Sequence, residues 1–174
     1  YNQTLFDSYV NLLRSQTEAM SAALGSVHSM VVTPFDAPYE EATDFKNGYA
    51  IVKRADKWGV IDTSGKETIA CAFDQIEIFN GAVMRVKKGN LFGLMSAATG
   101  ATIQQTSYTL IDGLSQNRAV MCINGKYGYF DEKGKTVIAA QYNLVNDFRS
   151  DGKGWVKKGD DRYYIYTNGS YAGN

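Results

Sequence analysis

Trp155, Tyr163, Tyr164 and Tyr166 stand close together near the C-terminus. Rings grouped in this way can stack on a sugar, enclose a quaternary ammonium or anchor a protein partner. On a terminal hairpin they would face both sides of the sheet, so closing the end of a core is their competing use. Groups for general catalysis are sparse. His28 is the single histidine and lies beside Ser26 and Ser29, with no nucleophile and orienting acid patterned around it. Cys71 and Cys122 form no CxxC or zinc spacing, and they read as two buried thiols rather than a disulfide framework. The calcium-loop signature is absent, and Gly89, Gly93 and Gly100 are spaced as turns rather than as a phosphate cradle. The expectation is therefore no catalytic residue, no metal and no cofactor. Asp62, Asp74, Asp112 and Asp131 recur with a period, which suits turn formers or acceptors for exposed backbone amides.

That period organises the chain. Trp58-Gly59, Phe92-Gly93, Tyr127-Gly128 and Tyr163-Tyr164 follow one another at spacings of 34, 35 and 36. A second glycine recurs at Gly65, Gly100, Gly134 and Gly169, and a third column runs Tyr39, Phe73, Tyr108 and Tyr142. Six residues beyond each of these stand Phe45, Phe79, Leu114 and Phe148. Four columns in step mark a tandem repeat whose units cannot bury their apolar faces alone and must stack. Within a unit, Tyr49–Arg54 and Lys57–Asp62 read as a hairpin, as do residues 118–122 and 126–131 around Asn124-Gly125, the strongest two-residue hairpin signal. A turn at residues 63–66, matched at 132–135, leads to a third short strand. A glycine directly after an inward-pointing ring marks a bulge or the close approach of another backbone. The expected fold is mainly β: tandem three-stranded repeats of about 35 residues in a solenoid-like stack. Trp58, Phe92 and Tyr127 are its structural aromatics.

The run Lys57-Trp58-Gly59-Val60-Ile61-Asp62-Thr63-Ser64-Gly65-Lys66, with Phe73-Asp74 and Phe79-Asn80-Gly81 after it, resembles a bacterial WG repeat, a β-rich unit of about 35 residues. The resemblance covers roughly residues 37–170, with Phe92 and Tyr127 in place of later tryptophans. It implies an interaction role and no catalytic residues. Residues 154–170 also resemble the cell-wall-binding repeats of choline- and glucan-binding proteins, a resemblance that implies a ring-lined site for choline or a glycan.

Residues 1–36 read as a separate segment ahead of the repeat domain at 37–174. Leu5, Phe6, Tyr9, Val10, Leu13, Met20, Leu24 and Val27 fall at helical steps, so an amphipathic helix is expected, as a cap on the array or as a stalk. The sequence opens on Tyr1 rather than Met, which leaves an upstream signal or anchor open. Lysine plus arginine number 18 and aspartate plus glutamate number 18, a balance that argues against a nucleic-acid binder. No apolar run approaches the ~20 residues of a spanning helix. The reading is a non-enzymatic scaffold that presents a β-repeat surface to a protein partner or to further copies of itself, outside the cytoplasm or at the cell surface. Its alternatives are a cell-surface carbohydrate- or choline-binding module and a subunit of a surface filament polymerised through the N-terminal helix.

Overall fold

The computed structural model describes residues 39–174, and the helix and linker expected over 1–36 lie outside the described residues, as does His28. The chain divides into two compact units, with the boundary between Phe73 and Asp74. In the first unit, β1 (Glu41–Ala42), β2 (Tyr49–Arg54), β3 (Lys57–Asp62) and β4 (Glu67–Phe73) form an antiparallel sheet in sequential order. The second unit holds three more sheets of the same kind: β5 (Gln75–Asn80) to β8 (Thr102–Tyr108) with β6 (Val83–Lys88) and β7 (Leu91–Ser96) between them; β9 (Leu110–Ser115), β10 (Arg118–Ile123), β11 (Lys126–Asp131) and β12 (Thr136–Tyr142); and β13 (Leu144–Val145), β14 (Lys153–Lys158), β15 (Asp161–Tyr166) and β16 (Tyr171–Gly173).

Each sheet therefore has four strands, where the sequence pattern predicts three. The additional strand is the first of each sheet. Between β8 and β9 stands only Thr109, and between β12 and β13 only Asn143. One nearly continuous extended run thus closes one sheet and opens the next. The hairpin from β9 to β10 turns through Gln116-Asn117, both at positive φ (49° and 58°) without a glycine, which hides it from a search for turn residues. The expected Asn124-Gly125 turn is present, with φ of 52° and 70°.

The second-glycine column marks turns entered at positive φ: Gly65, Gly100, Gly134 and Gly169 lie between 70° and 87°. Asp62 accepts hydrogen bonds from the amides of Ser64 (2.9 Å) and Lys66 (3.1 Å) across this turn. Asp131 does the same for Lys133 (2.9 Å) and Lys135 (2.8 Å). The Ser64 hydroxyl, then these amides, hold the Asp62 carboxyl below the ordinary aspartate range. Asp74 accepts from the amide of Gly89 and Asp112 from that of Gly113, so all four recurrent carboxylates serve backbone amides.

The aromatic columns meet across strands. Trp58 pairs with Phe73, Phe92 with Tyr108 and Tyr127 with Tyr142, so each aromatic residue stands opposite another in the strand register. Immediately beyond each first ring the register slips, and the bulged neighbour crowds the glycine that follows. A Cβ on Gly128 would lie 2.4 Å from the Ile138 carbonyl oxygen and 2.8 Å from the Ala140 nitrogen. Gly59 and Gly93 are closed off in the same way by Ile69 and Gln104 carbonyls at 2.7 and 2.8 Å. The glycine thus makes room for the backbone of its own sheet's next strand.

Within the second unit the sheets stack face to face. Leu94 of β7 meets Ile111, Ala119, Met121 and Phe130 in one core cluster. The opposite face of the β9–β12 sheet presents Val120, Tyr129, Ile138 and Tyr142 to Phe148, Val156 and Ile165 in another. Adjacent residues Tyr129 and Phe130 are both fully buried, one in each cluster, so this sheet is covered on both faces. The Tyr129 hydroxyl donates to the Asn146 carbonyl at 2.7 Å, and burial pushes its pKa well above the ordinary tyrosine value of about 10. Burial also raises Tyr108 and Tyr142.

These shifts carry a pH prediction. Because the folded state holds the Tyr129 proton more tightly than the unfolded chain does, this contribution is complete below pH ~10 and declines as pH rises toward the raised native value. Urea unfolding from pH 8 to 11 will show stability falling above pH ~10, with a shallower slope in Tyr129→Phe. Equal slopes in the two proteins would contradict the assignment.

Candidate binding surface

The register of the last sheet decides which side each aromatic residue occupies. Lys153 pairs with Tyr166, Trp155 with Tyr164, Val156 with Tyr163 and Lys157 with Arg162. One face carries Val156, Tyr163 and Ile165; it closes on the core, where Tyr163 lies 6.5 Å from the Tyr142 ring and 5.8 Å from that of Tyr171. The other face carries Lys153, Trp155 and Lys157 from β14 and Arg162, Tyr164 and Tyr166 from β15, and Leu144 joins them opposite Lys157. Three of the four sequence-selected aromatics therefore share a face, while Tyr163, partly buried, packs against the core on the other.

The same register corrects the fourth member of the first aromatic column. Counting from the hairpin turns, the position of Trp58, Phe92 and Tyr127, each opposite residue 53, 87 or 122, is filled in the last sheet by Arg162 opposite Lys157. Tyr163 takes the glycine position. In that sheet the register of β16 sets Gly173 opposite Tyr164.

On the outer face the rings alternate with cations. The Arg162 guanidinium lies 5.8 Å from the Trp155 ring centroid, Arg149 lies 5.6 Å from Tyr164, and Lys153 Nζ lies 5.9 Å from Tyr166. Among the described residues no carboxylate forms an ion pair with Arg149, Lys153, Lys157 or Arg162. The rings are partly open: Trp155 and Tyr164 are half-buried, Tyr166 is 42% exposed and Leu144 50%. Sequence inspection picks out the rings but not this ladder, since Arg149 reaches Tyr164 from the loop before β14.

This face has a counterpart in the β9–β12 sheet. Val120 and Tyr129 occupy the positions of Trp155 and Tyr164, and they are buried under β14 and β15. On the β13–β16 sheet Trp155, Lys157 and Arg162 thus stand where the β9–β12 sheet has Val120, Cys122 and Tyr127, while Tyr164 matches Tyr129.

In the first unit Arg54 pairs with Glu67 at 2.9 Å, while the Tyr39 hydroxyl (3.4 Å) and the Cys71 thiol (3.8 Å) also reach that carboxylate. Burial, then the Glu67 charge, push the Cys71 thiol up, the reverse of what a nucleophile needs. Cys71 and Cys122 are both free; Cys122 is buried as expected, Cys71 only half-buried. Among the described residues no group of His, Cys, Asp and Glu converges to hold a metal, and no helix is long and apolar enough to cross a membrane.

Comparison with known proteins places two resemblances end to end. The WG containing repeat family matches residues 58–92 and 127–161. Each match begins in the third strand of one sheet and ends in the third strand of the next, half a sheet out of phase with the folded layers. The methylmalonyl-CoA mutase family matches residues 1–55, a span that runs into β1 and β2, which pair within the first sheet. The methylmalonyl-CoA mutase small subunit of Porphyromonas gingivalis is 52% identical over 50 residues, 29% of this chain and 8% of that protein. A methylmalonyl-CoA mutase homolog of Alkalihalophilus pseudofirmus is 34% identical over 92 residues, 44% of this chain and 63% of that protein. The chain thus spans less than two thirds of either relative. Among solved structures, KlHsv2 with loop 6CD replaced by a Gly-Ser linker has a TM-score of 0.39 at 9% identity, covering 78% of this chain and 50% of that one. Kluyveromyces lactis Hsv2p has a TM-score of 0.33 at 10% identity, covering 78% and 51%.

Proposed function

Residues 58–92 and 127–161 are WG-containing repeats, and from that premise we propose a non-enzymatic binding module that engages a protein partner through the outer face of the β13–β16 sheet. The observation that carries this reading is the face itself. Trp155 and Tyr164 stand side by side and partly open on it, with Tyr166, Leu144 and Arg162 around them. Tryptophan, tyrosine and arginine are the residues in which binding energy concentrates at protein interfaces.

The choline reading fits less well. A quaternary ammonium needs ring faces free of other cations, whereas Arg162, Arg149 and Lys153 already sit over Trp155, Tyr164 and Tyr166. The mutase match concerns residues 1–55 and supplies no reacting group to this face.

The test is selection from a displayed random-peptide library against the wild type and against a Trp155→Ala, Tyr164→Ala double variant of unchanged circular dichroism. The reading expects families of peptides enriched on the wild type and lost, by at least tenfold in recovery, on the variant. Equal enrichment on both proteins would contradict it.

A further inference from the structure

We infer that the segment bound on the outer face of the β13–β16 sheet is an extended acidic polypeptide, with carboxylates about four residues apart and an apolar side chain midway between them. This inference rests on the proposed binding role of the same face and specifies its partner.

Lys153, Lys157 and Arg162 on the sheet face and Arg149 in the loop before β14 are four cations without an ion-paired carboxylate among the described residues. In the first unit the equivalent of Lys157 is Lys53, which is ion-paired with Glu41 at 2.8 Å. The last sheet lacks that partner: residue 144, opposite Lys157, is leucine. A carboxylate brought by a partner would supply what Glu41 supplies to Lys53.

Spacing then specifies the segment. Lys153 and Lys157 flank Trp155 on one strand, and at about 3.3 Å per residue they lie roughly 13 Å apart. An extended peptide laid along β14 would put side chains of positions i and i+4 over the two lysines and that of i+2 over the Trp155–Tyr164 pair. Arg162 and Arg149 stand beside the same line from β15 and the preceding loop, placed to widen the cationic track.

Charge balance favours a short acidic peptide over nucleic acid. With 18 basic and 18 acidic side chains, the chain lacks the long-range positive field that concentrates a polyphosphate, whereas a short segment needs only local complementarity.

The experiment titrates the full chain with three synthetic probes, a Glu-Thr-Leu-Thr-Glu peptide, its Lys-Thr-Leu-Thr-Lys counterpart and a twenty-nucleotide oligo-dT, followed by calorimetry at 50 and 300 mM NaCl. The expected results are saturable binding of the acidic peptide, at least a fivefold loss at high salt, and at least a tenfold loss in a Lys157→Glu, Arg162→Glu variant of unchanged melting temperature. That variant should in turn take up the lysine peptide. Equal binding of both peptides, or binding that salt does not weaken, would overturn the inference, and so would oligo-dT binding in preference to the acidic peptide. If neither peptide binds while library selection still depends on Trp155 and Tyr164, the acidic partner is wrong and the binding face stands. If selection fails as well, both readings fall.

Discussion

Replacing Gly128 by alanine will cost the protein about 3 kcal/mol of stability, at the upper end of what overpacking a core usually does. The reason is that a Cβ there meets backbone, 2.4 Å from the Ile138 carbonyl oxygen and 2.8 Å from the Ala140 nitrogen, and backbone cannot swing aside as a side chain can. Relief requires β12 to move away from β11, breaking the bulged pairing that sets Tyr127 opposite Tyr142. Gly113, on β9, supplies the control: nothing lies within 4 Å of its added Cβ, and its alanine variant should be neutral or slightly more stable, since alanine restricts the unfolded chain. Urea midpoints for the two variants check the contrast. Loss of similar size at both positions would mean that strand propensity, rather than close approach, explains the recurrent glycine.

Phe130→Ala should cost roughly 3–5 kcal/mol, the usual range for emptying a fully buried phenylalanine site. The ring belongs to the cluster that joins the β9–β12 sheet to Leu94 of the preceding sheet, and it meets Tyr108 edge-on at 5.2 Å. Tyr129→Phe, one residue away on the opposite face, removes only the hydroxyl bonded to Asn146 and should cost about 1 kcal/mol. Stacked repeats add their stability through unit and neighbour terms. The alanine variant should accordingly show faster amide exchange in β5–β8 than in β13–β16. Uniform acceleration across the three sheets would show that the second unit opens as one body instead.

These two neighbours illustrate what the sequence makes legible. The columns Trp58, Phe92, Tyr127 and Phe73, Tyr108, Tyr142 announce themselves because aromatic residues that stand opposite each other in the register recur at the repeat length. The glycine beside each ring is explicable from close approach before any coordinates exist. The fourth strand is legible only in part: Gly48, Gly81 and Gly152 mark the turns before β2, β6 and β14, but the turn at Gln116-Asn117 carries no glycine, and Thr109 and Asn143 barely interrupt the extended runs that hold β9 and β13. The sidedness of the C-terminal aromatics is not legible. Arg162 breaks the aromatic column, so a search for rings settles on Tyr163, and a slip of one residue moves a side chain to the other face of a sheet. Hence Tyr163 looks equivalent to Trp155 in sequence, although it is packed against Tyr142. The cation ladder depends on pairings between strands and on a loop arginine, which no local pattern encodes.

The central claim is that the outer face of the last sheet is where this protein meets its partner, and hydrogen–deuterium exchange addresses it most directly. Exchange would be followed on the full chain with and without a saturating peptide recovered by library selection. The account predicts added protection in residues 153–166 and in the loop around Arg149, with the β5–β8 sheet unchanged. Protection confined to other sheets, with residues 153–166 exchanging as in the free protein, would contradict it.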